Sequence, residues 1–312
     1  MEWETTTRWD PTRFFSDSSD PNERIAAFAL LVLNQPINER AFAVLKRQAC
    51  FIICADGGAN RFYDMMQKHG KESQEVKPPV LHQDSVTENS QTKTQLPNII
   101  IGDLDSIRPS VRSHYEGLGV PVLQDRDQYS TDFTKCLKYL REHADEISTK
   151  LEYPTLLKPP SRLEILIMGG LGGRVDQAFS QIHHLYLMTR EIAGEPGVGD
   201  LYLISEESIT FILQAGFNAI HTPRAKRPGV RPRPDQAEEE CYLLEENVGI
   251  IPLSGPAKIA TSGFEWDVED WLTEIGGQIS TSNHIRACQV VVKTDVPVLF
   301  TLELAQRFKR MR

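Results

Sequence analysis

Aspartates recur in this chain in short, glycine-flanked segments directly behind apolar runs. Residues 51–55 (FIICA) lead into Asp56-Gly57-Gly58-Ala59-Asn60-Arg61, and residues 99–101 (III) lead into Gly102-Asp103-Leu104-Asp105-Ser106. Residues 163–168 (LEILIM) lead into Gly169-Gly170-Leu171-Gly172-Gly173-Arg174-Val175-Asp176. A fourth segment, residues 127–132 (DQYSTD), opens a helical pattern that carries Lys135. In a parallel sheet, ligands bind just beyond the carboxyl ends of the strands. Carboxylates gathered there repel one another unless a cation lies between them, and hard divalent cations take oxygen ligands. The chemistry this pattern supports is that of Mg²⁺ and phosphate.

Each segment has a chemical and a structural reading. Asp103 and Asp105, two apart, can aim two carboxylates at one cation, or one at the cation and one at a bound water. The same spacing also builds an Asx turn before a helix. Gly57 and Gly58 let the backbone approach a ligand closely, and amides at the start of the helix bearing Asn60 and Arg61 can hold phosphate oxygens. Gly172 and Gly173 suit a loop lying against phosphate, with Arg174 as a bidentate donor and Asp176 beside it. That loop is neither a GxGxxG nor a GxxxxGK[ST] motif. Ser130 and Thr131 are candidate caps, and Asp132 stands near a positive helix end, with Lys135 one turn on. Singly, each segment is satisfied by a turn or a cap; four at successive strand ends point to one shared site.

Such a site needs a sheet to carry it. Apolar runs at 26–33, 51–55, 99–101, 120–123, 163–168 and 201–205 alternate with helical patterns at 39–47, 60–69, 108–117, 132–143 and 175–191. That alternation predicts a largely parallel sheet covered on both faces. Beyond about residue 207 the texture changes to short β-type segments at 209–213, 241–244, 248–252, 258–261, 289–294 and 297–304. These predict an antiparallel sandwich or barrel. The expected organisation is a mobile leader (1–24), an α/β unit (25–207) and a β unit (208–312). Polar insertions are expected at 71–97, 148–161 and 223–240. The basic part of the last (Arg224, Lys226, Arg227, Arg231, Arg233) reads as solvated surface.

Composition narrows the function classes. With 312 residues, 40% hydrophobic and 25% charged, the chain reads as an ordinary globular protein. Its longest apolar runs fall far short of the roughly 20 residues of a membrane helix, so no membrane partner is expected. The acidic first residues are not expected to form a secretory signal. A net charge of −9 argues against nonspecific nucleic-acid binding, but not against a nucleotide held through a metal. Five cysteines without a CxxC pair suggest neither a disulfide framework nor a zinc site, and fit a reducing cytoplasm. His183 and His184, a turn or two into their helix, read as structural or surface residues.

Taken in order, DGGANR, GDLDS, the Gln128…STDFTKCL segment and GGLGGRVDQ resemble the thiamine pyrophosphokinase family. The second half agrees, through GIIPL at 249–253, SGFEW at 262–266 and ISTSN at 279–283. The insertions resemble those of eukaryotic, fungal members. The resemblance implies a Rossmann-like α/β domain followed by a β-sandwich domain. It also implies transfer of the pyrophosphoryl group of ATP to the hydroxyethyl oxygen of thiamine, giving thiamine diphosphate and AMP. Asp103, Asp105 and Asp132 would hold Mg²⁺, with Asp56 and Asp176 in the same acidic cluster. Asp56, Gly57, Gly58, Asn60, Arg61, Thr131, Gly172, Gly173 and Asp176 would surround ATP, and Lys135 and Arg174 would stabilise developing charge. Which carboxylate takes the hydroxyl proton is open between Asp132 and Asp103. Gln128 and Asp132 would face the thiamine pyrimidine. Trp266, Ser280 and Asn283 of the other chain of a homodimer would close over it, with Trp266 as a cation–π platform for the thiazolium. Two other readings stand beside this one. Another Mg²⁺-dependent phosphate-transfer enzyme would leave Trp266 and the STSN segment without a role. A non-catalytic thiamine-binding protein would leave the intact acidic set unexplained.

Overall fold

Strand pairing in the computed structural model, which describes residues 6–16, 27–75, 96–149, 162–191, 197–229 and 242–310, builds two sheets. The elements in chain order begin with β1 (Thr6–Trp9), a short 3-10 turn (Pro11–Phe14), β2 (Phe28–Val32), α1 (Glu39–Leu45), β3 (Phe51–Ala55) and α2 (Gly58–Glu75). There follow β4 (Ile99–Gly102), α3 (Pro109–Gly117), β5 (Val122–Gln124), α4 (Asp132–Glu142), α5 (Ala144–Thr149), β6 (Arg162–Met168) and α6 (Val175–Glu191). The β-rich part holds β7 (Gly197–Ile204), β8 (Ser208–Leu213), β9 (Gly216–His221), β10 (Leu244–Pro252) and β11 (Ala257–Ser262). It ends with β12 (Trp271–Thr273), β13 (Ser280–His284), β14 (Gln289–Thr294) and β15 (Val298–Leu304).

Ten strands form one sheet in the order β13-β10-β15-β8-β7-β6-β2-β3-β4-β5. From β7 to β5 the pairings are parallel, and from β7 to β13 they are antiparallel. The parallel strands are apolar on both faces because helices cover both: β2 is buried at all five positions. Phe42 of α1, Phe62 of α2 and Tyr115 of α3 cover one face; Phe133 of α4, Ile147 of α5 and Leu185 of α6 cover the other. Past β7, the five-stranded sheet β1-β9-β14-β11-β12 takes over the role of α1–α3, packing Ile220, Ile259, Val290 and Val292 into the same core. A parallel α/β layer thus passes without a break into an antiparallel sandwich, across the expected boundary at 207/208.

The expected leader is a correction. Residues 6–9 form a strand parallel to β9, and Trp9, Phe14 and Phe15 are buried in the seam between the two halves. Trp9 Nε1 donates to the fully buried Asn218 Oδ1 at 3.0 Å, and Arg13 pairs with Glu164 of β6 at 2.5 Å. Their polar and proline-rich neighbours hide a segment whose partners lie up to 209 residues away. Of the expected insertions, residues 71–75 continue α2, residues 148–149 end α5 and residues 223–229 are described. The remainder, but for 96 and 97, lies outside the described residues.

Candidate active site

The parallel strands run outward from β2, β3 to β5 on one side and β6 to β7 on the other, so chain direction across the sheet switches between β2 and β6. There Gly169, at φ +69°, leaves no room for a side chain: a Cβ would lie 2.6 Å from Leu33 O and 2.8 Å from Gln35 O. At Gly173, at φ +67°, a Cβ would lie 2.9 Å from Gln35 Oε1. The glycine loop is pressed against residues 33–35 at the switch point, where α/β sheets receive phosphate ligands. Asn34 and Gln35, just beyond β2, are part of this floor: Asn34 Oδ1 accepts from Arg61 Nε at 3.2 Å.

The aspartates stand at the ends of β3 and β4. Asp56 is 1% exposed, at φ +39°, and its two oxygens accept the backbone N–H groups of Ser106 (3.0 Å) and Ile107 (2.9 Å). Burial pushes its carboxyl up to about 6; the two amides pull against this, and the charges of Asp132 and Asp103 add to it. Asp103 Oδ1 accepts from Asp105 N at 3.2 Å, across Leu104 at φ +67°. Ser106 Oγ, 2.8 Å away, is the main group holding the Asp105 carboxyl below its usual range. Carboxylate oxygens of Asp56, Asp103 and Asp105 all lie within 4.8 Å of one another. Gly102 permits this: a Cβ there would lie 2.5 Å from Asp56 Cβ and 3.1 Å from Asp132 Oδ1.

Asp132 and Lys135 depart from expectation. Asp132 Oδ1 accepts from Asp103 N and from Lys135 Nζ, both at 3.2 Å, so it flanks the carboxylate group while Asp56 completes it. Lys135, expected to face phosphate, is buried beneath Asp132. Asp176, expected in the acidic cluster, is exposed at the start of α6, where Arg174 holds it bidentately at 2.5 and 3.1 Å. Among the remaining expected residues, Asn60 latches the Asp105–Arg108 turn through Ser106 O and Arg108 N, and Thr131 caps α4. Gln128 is exposed in the loop between β5 and α4. His184 packs edge-on against Phe133, in keeping with a structural role.

An oxygen-only donor set built on a buried carboxylate with no cationic partner of its own fits a hard divalent cation. Burial and like charge already drive Asp56 toward its protonated form, and a cation at that point would relieve both.

A cavity of about 330 Å³ lies in the sandwich, lined among others by Trp266, Trp271, Thr261, Ser280 and Asn283. Trp266 is 55% exposed, a large aromatic held at the rim. Asn283 is buried and fully engaged: its Oδ1 accepts from Trp266 N (3.1 Å) and His284 N (2.8 Å), and its Nδ2 donates to Trp266 O (2.9 Å). It was expected to touch substrate; the structure turns its polar atoms to the backbone that carries Trp266. Strand β13, at this cavity, is first in the sheet order and β4, at the aspartates, is ninth. Eight spacings put them about 38 Å apart along the sheet.

Two family models match, "Thiamin pyrophosphokinase, catalytic domain" over residues 42–194 and "Thiamin pyrophosphokinase, vitamin B1 binding domain" over residues 233–299. The chain is 31% identical to thiamine pyrophosphokinase 1 of Arabidopsis thaliana over 283 residues, covering 89% of this chain and 86% of that one. It is 28% identical to the Saccharomyces cerevisiae thiamine pyrophosphokinase over 301 residues, covering 86% and 83%. The solved thiamin pyrophosphokinase of Candida albicans shares the fold, with a TM-score of 0.70, 24% identity and coverage of 96% and 93%. The yeast structure gives 0.68, 23%, and 96% and 91%. By these matches over both halves, the chain belongs to the thiamine pyrophosphokinase family.

Proposed function

We propose that this chain moves the pyrophosphoryl group of ATP to the hydroxyl of thiamine on Mg²⁺ held by Asp56, Asp103 and Asp105, in a site completed by a second copy. Residues 25–207 would hold ATP and residues 208–312 thiamine. The observation that carries this reading is the separation of the carboxylate group from the Trp266 cavity. The aspartates and the Trp266 cavity lie too far apart in one chain to touch one small molecule, and each has the chemistry the other lacks. A two-fold dimer, the commonest closed assembly, can bring Trp266 of one protomer to the aspartates of its partner.

Bound Mg²⁺ would supply neutralisation of the phosphate charges. The chain's own residues do the positioning that governs such transfers. Amides of Gly172 and Gly173 cradle phosphate at the switch point, and Arg174 exchanges Asp176 for phosphate oxygens. Asp56 ties the Ser106 and Ile107 backbone to the metal group. Asp132, beside that group and paired with Lys135, would take the hydroxyl proton. Gln128, on the exposed loop above, faces the pyrimidine. A cytoplasmic setting belongs to this reading, and the free thiols Cys54 and Cys136 buried near the site support it.

The test is an assay of ATP and thiamine with Mg²⁺. AMP must appear in step with thiamine diphosphate; ADP or free phosphate alone would overturn the reading.

A further inference from the structure

Trp266 has two neighbourhoods. On one side lies the cavity; against its ring lies His284, which does not line that cavity. The two ring centroids are 5.0 Å apart with planes inclined by 45°. His284 is the last residue of β13, and its imidazole is not free to turn. Nδ1 lies 3.0 Å from Glu265 Oε2 and 3.1 Å from Arg286 Nη2. Arg286 pairs with the same Glu265 carboxylate through Nη2, and through Nη1 reaches Glu246 Oε2 at 2.6 Å and Ile285 O at 2.9 Å. The backbone closes the same frame: Glu265 N donates to His284 O at 2.9 Å, and Arg286 N to Gly263 O at 2.8 Å. Nδ1–H donates to the Glu265 carboxylate, Arg286 holds that carboxylate in place, and two strand-to-loop hydrogen bonds complete the frame that keeps the imidazole against the indole.

We propose that His284 is a positioning residue for substrate: held by Glu265 and Arg286, it backs the Trp266 indole and fixes the face that receives the cationic ring of thiamine. This rests on the reading of the cavity as the thiamine site. Asn283 anchors the backbone of Trp266 but leaves its side-chain torsions free. More than half of the residue is exposed. Binding to a ring that samples several rotamers costs the entropy of immobilising it, a loss of about three- to tenfold in affinity. A ring already backed has lost that freedom before substrate arrives. The role falls on thiamine, whose cationic ring meets the indole, while the triphosphate meets the carboxylate group and glycine loop of the partner protomer.

The experiment compares His284→Ala, His284→Phe, Trp266→Ala and the double variant Trp266→Ala/His284→Ala, as full-length protein. Thiamine and ATP affinities are measured separately, with kcat at saturation. His284→Ala is expected to raise the thiamine KM about three- to tenfold, with ATP KM and kcat unchanged. His284→Phe, which keeps a flat ring behind the indole, is expected to restore most of the loss. The double variant should bind thiamine no worse than Trp266→Ala. An unchanged thiamine KM in His284→Ala, with Trp266→Ala impaired, overturns this inference alone. Equal losses for thiamine and ATP, or failure of His284→Phe to rescue, also overturn it. An unimpaired Trp266→Ala would instead overturn the assignment of the cavity.

Discussion

Asn283 holds Trp266 by both of its main-chain polar groups, accepting from the N–H at 3.1 Å and donating to the C=O at 2.9 Å. The side chain is 7% exposed, and Oδ1 also takes His284 N–H. An amide suits this position because it alone offers an acceptor and a donor with the right separation. Asn283→Ala is expected to cost about 1–3 kcal/mol of stability through the polar groups left unpaired. The thiamine KM should rise while the ATP KM stays constant. Asn283→Asp should be no better, since a carboxylate would face the Trp266 carbonyl. Steady-state kinetics with a melting curve decides; an effect on ATP alone would contradict the assignment.

Asp56 gives the site a pH dependence whose sign can be worked out. Its folded-state carboxyl is raised from 3.8 to about 6, mainly by burial. The metal-free fold thus holds this proton more tightly than the unfolded chain does. The stability so gained is present below the unfolded value and lost as pH rises through about 6. A cation competes with the same proton, so Mg²⁺ affinity should be about tenfold weaker at about pH 5 than at about pH 7.5. Calorimetric titration at the two values reads this directly, and equal affinities would remove Asp56 from the metal group.

Gly102 sets the distance between the carboxylates. A methyl group there would stand 2.5 Å from Asp56 Cβ, so Gly102→Ala must push β3 and β4 ends apart. Misplacement of this order costs about a hundredfold in kcat, with a stability loss of about 1–3 kcal/mol from overpacking. Gly117→Ala, where a Cβ meets nothing within 4 Å, is the control expected to keep full activity.

The N-terminal strap is a prediction about stability and not about chemistry. Trp9 fills the seam between Tyr202 and Phe211 and donates to a fully buried Asn218. Trp9→Ala is expected to cost about 3–5 kcal/mol and to leave both KM values unchanged. A melting temperature unaffected by removing residues 1–16 would restore the view of this segment as a dispensable leader.

How much of this was legible from residues alone depended on range. Residues 51–55 and 175–191 were readable as strand and helix because apolar runs and helical spacing are local, and both stand as read. The aspartates were readable for the same reason. That Asp56 and not Asp132 completes the close group was not readable. It depends on Lys135 turning inward beneath Asp132 and on Gly102 letting β3 and β4 ends touch. Residues 280–284 (STSNH) carry little strand propensity, and become β13 only because β10 offers them an edge. Residues 6–9 are likewise a strand only because β9 lies beside them. Asn283 drew attention through the family resemblance, which could not say that it grips Trp266 and leaves its neighbour His284 to back the ring.

The central claim is that each complete site takes its aspartates from one protomer and its tryptophan from the other. It is tested most directly by mixing Asp105→Ala with Trp266→Ala, each assayed alone and after co-expression, at thiamine near the wild-type KM. In a two-fold dimer with sites shared between protomers, half of randomly assorted dimers are mixed, and each mixed dimer has one intact site. The account predicts an inactive Asp105→Ala parent, a nearly inactive Trp266→Ala parent at this thiamine concentration, and about one quarter of wild-type activity in the mixture. A mixture as inactive as its parents would show that both halves act within a single chain and would contradict the account.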